Sequence, residues 1–159
     1  MPRWANIILT LLLLPLIMLP FIFIAICIRA TSPGSAIHWS TRVGAMNILF
    51  KMPKFRTMRI DTPNVPTHLM KEPDKYVTPI GRLLRLTSLD ELPQVWSILK
   101  GDMAFVGPRP ALFNQDDLVL LRKEKGVDNL VPGLTGWAQI NGRDNITISE
   151  KVYGNNFSL

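Results

Sequence analysis

The sequence has little cysteine and little charge. Cys27 is the single cysteine among 159 residues, so an intramolecular disulfide framework and a cysteine-based zinc site are excluded. Charged residues make up 19% of the chain and apolar residues 47%, a composition too apolar for a disordered chain. The length suits one domain with an appendage, and it argues against a multidomain enzyme, a long repeat array or a polytopic transporter.

Acidic residues are absent from the first 60 residues, which carry seven Lys or Arg side chains. Residues 61–159 carry eleven cations and twelve acids. The net charge of +6 therefore comes from the N-terminal part. This excludes a uniformly basic nucleic-acid binder, and no nucleic acid is expected among the partners. P-loop, G-x-G-x-x-G and G-x-S-x-G motifs are also missing, and His38 and His68 lack metal-ligand spacing.

Residues 7–28 form an apolar run without a charged side chain. At a rise of about 1.5 Å per residue, a helix over this run could cross a hydrocarbon core of about 30 Å. Arg3 and Trp4 precede the run and Arg29 follows it, as is typical of side chains that anchor a helix at the membrane interface. The N-terminal part is therefore predicted to lie in a membrane.

Three arrangements of this run are open. A cleaved signal peptide is the least favoured, because its apolar core is normally about 7–15 residues long and no small-x-small cleavage site follows Ile28. A straight membrane-spanning helix is the simplest arrangement, but Pro15 and Pro20 would each remove a backbone hydrogen bond. A re-entrant hairpin would enter and leave by one face, and the basic flanks favour it through the positive-inside tendency. The residues alone do not decide between the straight span and the hairpin.

Residues 31–59 are predicted to bring the chain back to the membrane surface. A turn is expected at 31–34, and two short strands at 36–39 and 48–51 flank a second turn at Gly44. Three cations in this stretch could face anionic headgroups, each worth about 1 kcal/mol, or could be ordinary solvated cations. They are Arg42, Lys51 and Arg59.

Lys54 and Arg56 differ from these cations because Phe55 lies between them. A buried aromatic ring would fix the chain at this point. Both cations could then converge on one phosphate, the lysine as a point charge and the arginine through its bidentate fork. The pattern predicts a phosphate-binding site.

Two consecutive helices are predicted in the middle of the chain. Thr78 followed by Pro79 indicates the N-cap and first residue of the first helix. The second helix would run from a capping box at 88–91 to a glycine stop at Gly101. Pro93 falls near its start, so the first turn of the second helix is expected to be distorted.

Asp90 and Glu91 lie at the start of the second of these helices. The helix dipole and the free N–H groups there favour an ionised carboxylate, and a positioned aspartate can act as a nucleophile or as a metal ligand. The alternative is that both acids only cap the helix. Adjacent carboxylates cannot flank a glycosidic bond from opposite sides, so a two-carboxylate glycosidase is disfavoured.

Two loops rich in glycine and proline present further arginines. Arg109 lies between two prolines, so its backbone is restrained and its guanidinium could be held ready for an anion; an ordinary proline turn is the alternative. Arg143 follows an Asn-Gly turn at 141–142 and is another possible anion contact. A helix over 114–126 is expected to be structural.

A series of short motifs, taken in order, resembles the bacterial sugar transferases, which are monotopic polyprenyl-phosphate phosphoglycosyl transferases. The similarity covers roughly residues 7–151. Each motif alone is weak, and the order makes the resemblance specific. The motifs are TSPGS at 31–35, RVG at 42–44, KFRTM at 54–58, TSLDELPQ at 87–94, GDM at 101–103, VGPRP at 106–110 and PGLTGWAQINGR at 132–143.

The resemblance implies a fold, a reaction and a set of site residues. The fold would be α+β, with a re-entrant membrane helix hairpin over 1–30, broken near Pro20, and a small cytoplasmic domain of helices and short strands over 31–159. Asp90 would attack the β-phosphate of a nucleoside-diphosphate (UDP) sugar and carry the phosphosugar until undecaprenyl phosphate takes it. Asp90 and Glu91 would also hold Mg²⁺. Basic residues near the phosphates would be Lys54, Arg85, Arg109 and Arg143, which with Arg56 make the predicted phosphate-binding set.

The implied enzyme would begin synthesis of exopolysaccharide, O-antigen or capsule at the cytoplasmic face of the bacterial inner membrane, with membrane lipid as a partner.

Two departures from the family pattern stand out. Leu19 precedes the break proline where the family often has serine, and no acid follows Glu150, where the family usually continues with an acidic amphipathic segment. The second departure indicates a shortened C-terminus. It leaves open an inactive remnant of the enzyme. The other alternative is a non-enzymatic membrane-anchored adaptor, in which the two carboxylates only cap a helix, and no sugar or oligomeric state is predicted.

Overall fold

The computed structural model describes residues 1–63, 70, 72–142 and 147–154, and these form both helices and strands. The α-helices are α1 (Arg3–Thr31), α2 (Pro79–Thr87), α3 (Val95–Lys100), α4 (Asp116–Glu124), α5 (Trp137–Ile140) and α6 (Ile148–Tyr153). The strands are β1 (Ile37–Val43), β2 (Leu49–Phe55), β3 (Ala104–Val106), β4 (Ala111–Leu112) and β5 (Gly133–Thr135). The predicted mixture of helices and strands is confirmed.

The strands form two small sheets. In one sheet β1 lies between β2 and β4, and β1 and β4 run antiparallel with Val43 opposite Ala111. In the other, β3 and β5 run parallel with Ala104 opposite Gly133. The two strands predicted around Gly44 are confirmed as β1 and β2, and the helix expected within 114–126 is confirmed as α4.

The chain forms two compact units, each with its own apolar core. The first unit consists of Met1–Leu12, Trp39–Met52 and Gln94–Leu159, and the second consists of Leu13–His38 and Pro53–Pro93. Two clusters of buried side chains fill the first unit: Val43, Ala111, Leu118, Val127 and Val152, and Phe50, Met52, Ile98 and Met103. One cluster fills the second unit: Ile24, Ile28, Ala36, Phe55 and Leu84.

Helix α1 has 29 residues, and of the helices in the described part of the chain it alone is long and apolar enough to cross a membrane. Pro15 and Pro20 both lie inside it, and the backbone is helical on either side of each. A proline removes one hydrogen bond and bends a helix without having to end it. The break predicted near Pro20 is therefore not an interruption of the helix, and the re-entrant path stays a prediction.

The most exposed large apolar side chains of α1 lie in its middle. Leu16 and Leu19 expose 74% and 79% of their surface, whereas Thr10 and Ile28, nearer the two ends, expose 0% and 1%. Contiguous exposed apolar surface of this kind marks an interaction with another apolar phase or partner. The middle of α1 is thus the part of the helix suited to lipid.

The N-terminal end of α1 contacts other parts of the first unit. The guanidinium of Arg3 donates hydrogen bonds to the carbonyls of Ile98 and Leu99 in the last turn of α3. Asn6 accepts a hydrogen bond from the N–H of Phe105 at 2.9 Å. A cation is favoured beside the unsatisfied carbonyls at a helix C-terminus. The structure therefore shows Arg3 bound at the end of α3, and its role as a membrane-interface anchor stays a prediction.

The C-terminal end of α1 packs in the core of the second unit. Ile24 and Ile28 share this core with Phe55 and Leu84, and the rings of Phe21 and Phe55 lie 4.8 Å apart. Phe55 is fully buried. The prediction that a buried aromatic ring lies between the two cations is therefore confirmed.

Candidate active site

Local signals build the helix that precedes the carboxylate pair. Thr78 caps α2, because its hydroxyl accepts a hydrogen bond from the Gly81 N–H at 3.0 Å, and Pro79 takes the first helical position. Ser88 ends α2 in the left-handed conformation, with φ of 57°. The start predicted from Thr78 and Pro79 is confirmed.

Asp90 and Glu91 lie in a 3₁₀ segment, Leu89–Gln94, and not in a regular α-helix. Pro93 lies inside this segment, and α3 begins only at Val95. The distortion predicted from Pro93 is confirmed, because a proline has no N–H to donate within a helical ladder. Helix α3 ends at Gly101, whose φ of 102° suits glycine.

Asp90 is half-buried, and three charged side chains act on it. Burial raises the pKa of its carboxyl above the usual value, and repulsion from Glu91 raises that pKa further. Lys54, Arg85 and the backbone N–H of Asp90 act in the opposite direction without cancelling the rise. The structure therefore brings together four of the predicted site residues, all in the second unit.

This grouping suits the chemistry of phosphorus. A carboxylate can attack an electrophilic phosphorus and form a covalent intermediate. The charge on the phosphate oxygens must then be neutralised, and fixed cations in a partly water-excluded site do this best. The Asp90 carboxylate is suited to the attack, and the positive charges of Lys54 and Arg85, which act on Asp90, are suited to neutralise the phosphate.

Thr57 organises the cationic side of this site. It is buried, with 3% of its surface exposed, and its hydroxyl accepts a hydrogen bond from Nε of Arg85 at 2.9 Å. Its carbonyl accepts the N–H of Thr78 at 3.0 Å. A Cβ on Gly81 would lie 2.0 Å from the same carbonyl, so α2 can approach only with glycine there. The sequence reasoning missed Thr57, although a glycine inside a predicted helix was a signal of close approach.

Arg56 has its own partners in the second unit. Its guanidinium donates to the carbonyls of Pro33 at 2.6 Å and Ser32 at 2.9 Å, and these residues follow the C-terminus of α1. The hydrogen bonds tie the end of α1 to the end of β2. The predicted phosphate contact of Arg56 stays a prediction, and two of its three nitrogens already bind backbone.

Arg109 belongs to the first unit, on a loop between β3 and β4. The Gly107 N–H donates to the Thr135 carbonyl, and the Pro108 carbonyl accepts the Gly133 N–H, each at 2.9 Å. The loop before Arg109 is therefore hydrogen-bonded to β5, and the anion contact predicted for Arg109 stays a prediction. The predicted anion contact at Arg143 lies outside the described residues.

A magnesium site would have two protein carboxylates here. Within the described ranges there is no cluster of three or more His, Cys, Asp or Glu side chains. Magnesium is commonly bound by one or two carboxylates together with substrate phosphates and water, so Asp90 and Glu91 fit this ion. Their mutual repulsion contributes to the raised pKa of Asp90, and a divalent cation held by these two residues would relieve it.

The raised pKa of Asp90 predicts an effect of pH on stability. A carboxyl group whose pKa is higher in the folded than in the unfolded state stabilises the fold, and this contribution is complete below the unfolded-state pKa. It is lost as the pH rises through the folded-state pKa. Asparagine has no carboxyl group to ionise, so the Asp90→Asn variant does not lose stability in this way as the pH rises. We expect Asp90→Asn to have a higher Tm than the parent at neutral pH, and the difference to shrink towards about pH 4. A Tm difference that does not change with pH would contradict this account.

A sequence profile of the family described as bacterial sugar transferase matches residues 1–157. The UDP-glucose:undecaprenyl-phosphate glucose-1-phosphate transferase of Caulobacter vibrioides is 41% identical over 142 residues, which cover 87% of this chain and 51% of the relative. The Escherichia coli protein of the same name is 39% identical over 142 residues, covering 88% of this chain and 31% of the relative.

A third relative is the undecaprenyl-phosphate galactose phosphotransferase of Salmonella typhimurium. It is 37% identical over 138 residues, which cover 76% of this chain and 28% of the relative. The chain thus spans between about a quarter and a half of the length of these relatives. The family profile nevertheless covers almost all of the chain. The chain belongs to the bacterial sugar transferase family.

Proposed function

We propose that this chain transfers a phosphosugar from a UDP-sugar to undecaprenyl phosphate through a covalent intermediate on Asp90. The observation that carries the proposal is the half-buried carboxylate of Asp90, acted on by Glu91, Lys54 and Arg85. Relatives named as undecaprenyl-phosphate sugar transferases support the choice of donor and acceptor. The product would be the first lipid-linked intermediate of a surface glycan.

The proposed reaction has two displacements at one phosphorus. A carboxylate oxygen of Asp90 attacks the β-phosphorus of the donor, the bond from that phosphorus to the bridging oxygen breaks, and UMP leaves with the bonding electrons. A phosphate oxygen of undecaprenyl phosphate then attacks the same phosphorus and displaces Asp90. The aspartate is regenerated and the phosphosugar becomes part of a lipid-linked diphosphate.

The cations have distinct parts in this proposal. Lys54 and Arg85 neutralise the oxygens of the phosphorus under attack, and the hydrogen bond from Arg85 to Thr57 keeps its guanidinium oriented. The phosphate contacts that the resemblance implies for Arg109 and Arg143 stay predictions. Arg56 holds the turn after α1 through its backbone contacts.

Asp90 must be ionised to attack, although its pKa is raised. Lys54 and Arg85 favour the ionised form, and Asp90 and Glu91 would together hold Mg²⁺, as argued above. When bound, Mg²⁺ supplies positive charge that neutralises the donor diphosphate and favours the departure of UMP. Glu91 contributes to Mg²⁺ binding, and its negative charge lies beside the reacting carboxylate of Asp90.

We also propose that α1 is re-entrant and that the remainder of the chain, 31–159, lies on the cytoplasmic face of the inner membrane. Both ends of α1 contact polypeptide outside the helix: Arg3 and Asn6 bind residues 98–105, and Ile28 packs on Phe55. A straight span would place its ends in different aqueous compartments. Basic flanks on both sides of the apolar run support one cytoplasmic face.

Cysteine labelling tests this topology in intact cells. Trp4 and Ile60 are similarly exposed, at 66% and 62%, so Trp4→Cys and Ile60→Cys in a Cys27→Ser background form a matched pair. A membrane-impermeant maleimide should label neither before the inner membrane is opened and both afterwards. Labelling of Trp4→Cys alone in cells with an intact inner membrane would reject the re-entrant path and support a straight span.

The activity itself is tested by incubating the purified chain with radiolabelled UDP-sugars, undecaprenyl phosphate and Mg²⁺. The proposal predicts a radiolabelled lipid product and release of UMP. Absence of lipid product with every UDP-sugar and at every Mg²⁺ concentration would contradict the proposal.

A further inference from the structure

Helix α2 exposes apolar side chains that the core of the second unit does not use. Ile80 and Leu84 lie four residues apart and pack in that core, where Leu84 exposes only 4% of its surface. Leu83 and Leu86 lie three residues apart on another side of the helix, and they expose 58% and 80%. Within the described part of the chain, this second apolar side of α2 is therefore uncovered.

The uncovered side of α2 also carries a positive charge and no acid. Arg82 is exposed, and it is a neighbour of Leu86 on the helix surface because the two residues lie four apart. The sequence has neither aspartate nor glutamate within α2. Exposed leucines beside a basic side chain are typical of a helix that lies in the interface between water and lipid.

The packing of α2 on α1 fixes the level at which α2 would meet a bilayer. Leu84 shares a buried core with Ile24 and Ile28, which lie at the end of the apolar run of α1. The axis of α1 rises only about 6 Å between Ile24 and Ile28, which is close to the thickness of one headgroup layer, about 5–7 Å. Phe23 in the same part of α1 stays 68% exposed. If α1 lies in lipid, α2 is therefore held at the boundary between acyl chains and headgroups.

We infer that α2 is an interfacial helix, whose Leu83 and Leu86 enter the outer part of the lipid acyl chains while Arg82 contacts headgroup phosphates. The lipid bilayer is the occupant of this surface because α1, the helix suited to lipid, packs in the same core as α2. The inference rests on the proposed insertion of α1 in the membrane. It holds for a re-entrant and for a straight path, since α2 packs at the end of the apolar run in both.

Quenching of a fluorescent label by modified lipids tests this inference on the full chain. Leu83→Cys and Leu86→Cys, each in a Cys27→Ser background, are labelled with the dye NBD and reconstituted in vesicles of phosphatidylethanolamine and phosphatidylglycerol. The vesicles contain a lipid with a nitroxide near either the headgroup end or the methyl end of its acyl chain. We expect the shallow nitroxide to quench both dyes by at least about half, and more strongly than the deep nitroxide.

Leu120→Cys in the same background is the matched control. Leu120 exposes 61% of its surface, as Leu83 does to a similar extent, and it also belongs to a nine-residue helix, α4. Its neighbours on α4 include Asp116 and Glu124, which the negative surface potential of anionic lipid disfavours. We expect shallow quenching to be at least about threefold weaker here than at Leu83→Cys. Leu19→Cys, in the middle of α1, reports separately whether the chain is inserted.

A second measurement uses the chain without any substitution. A lipid with a diazirine near the headgroup end of its acyl chain is photo-crosslinked to the reconstituted protein, and the adducts are located by mass spectrometry. We expect lipid adducts on the peptide that contains residues 79–87, and fewer on the peptide that contains residues 116–124. The reverse distribution would contradict the inference.

The inference is overturned if Leu83→Cys and Leu86→Cys are quenched no more than Leu120→Cys while Leu19→Cys is quenched. It is also overturned if the dyes at residues 83 and 86 respond to protein concentration and not to nitroxide lipid, because a second copy of the chain would then cover α2. Without quenching at Leu19→Cys, the proposed insertion of α1 fails as well. The proposed reaction fails by a different observation, the absence of lipid product.

Discussion

Asp90→Asn is expected to lower sugar-phosphate transfer by at least about 10³-fold, as is usual when a nucleophile that forms a covalent intermediate is removed. The amide is nearly the same size as the carboxylate, so the fold is kept, but its oxygen is a poor nucleophile. The raised pKa of Asp90 makes the same variant more stable at neutral pH. Lost turnover with a higher Tm is the combined signature, measured by lipid-product formation and thermal unfolding.

Asp74→Asn is the matched control for this variant. Asp74 also lies in the first turn of a 3₁₀ segment, Pro73–Tyr76, and is exposed. If an aspartate at such a position only stabilises the helix start, both variants should retain activity. We expect Asp74→Asn to retain activity within about twofold. Full activity of Asp90→Asn would instead support the adaptor alternative, in which the carboxylates only cap a helix.

Removal of Mg²⁺ is expected to have the second largest effect, a loss of about 10²-fold or more in turnover. Asp90 and Glu91 repel each other, and the donor adds a diphosphate to this negative charge. Lys54 and Arg85 alone must then neutralise all of it. The measurement is lipid-product formation after treatment with EDTA, followed by restoration of Mg²⁺.

Glu91→Gln provides the control for the metal. It removes one of the two proposed carboxylate ligands and keeps Asp90, so we expect the Mg²⁺ concentration for half-maximal activity to rise, with partial activity at high Mg²⁺. The treatment must also be reversible, because an effect of EDTA on the fold would not be corrected by added Mg²⁺. Unchanged turnover in the absence of any divalent cation would contradict the proposed metal site.

The local features of the candidate site could be predicted because neighbouring residues determine them. Thr78 and Pro79 begin a helix in almost any context, and Gly101 ends one, since each acts on backbone groups within one turn. Pro93 distorts its own turn for the same reason. These residues place the carboxylate pair at a segment start, and the structure agrees.

The long-range contacts could not be predicted in the same way. Lys54 and Arg56 are separated by one residue, yet Lys54 acts on Asp90 while the guanidinium of Arg56 binds the turn after α1. The sequence pattern identifies the two charged residues, but it does not predict the direction in which each side chain points. The burial of Arg122 on α4 could not be predicted either, because it depends on packing with residues that are distant in the sequence.

Mass spectrometry of the intact protein after exposure to UDP-sugars, without lipid acceptor, tests the central claim most directly. The proposed mechanism predicts an added mass equal to one sugar phosphate, located on the peptide that contains Asp90 and lost when undecaprenyl phosphate is added. Formation of the lipid product with no labelled protein at any time, under conditions that trap acyl phosphates, would contradict a covalent intermediate and show that the sugar phosphate passes directly from nucleotide to lipid.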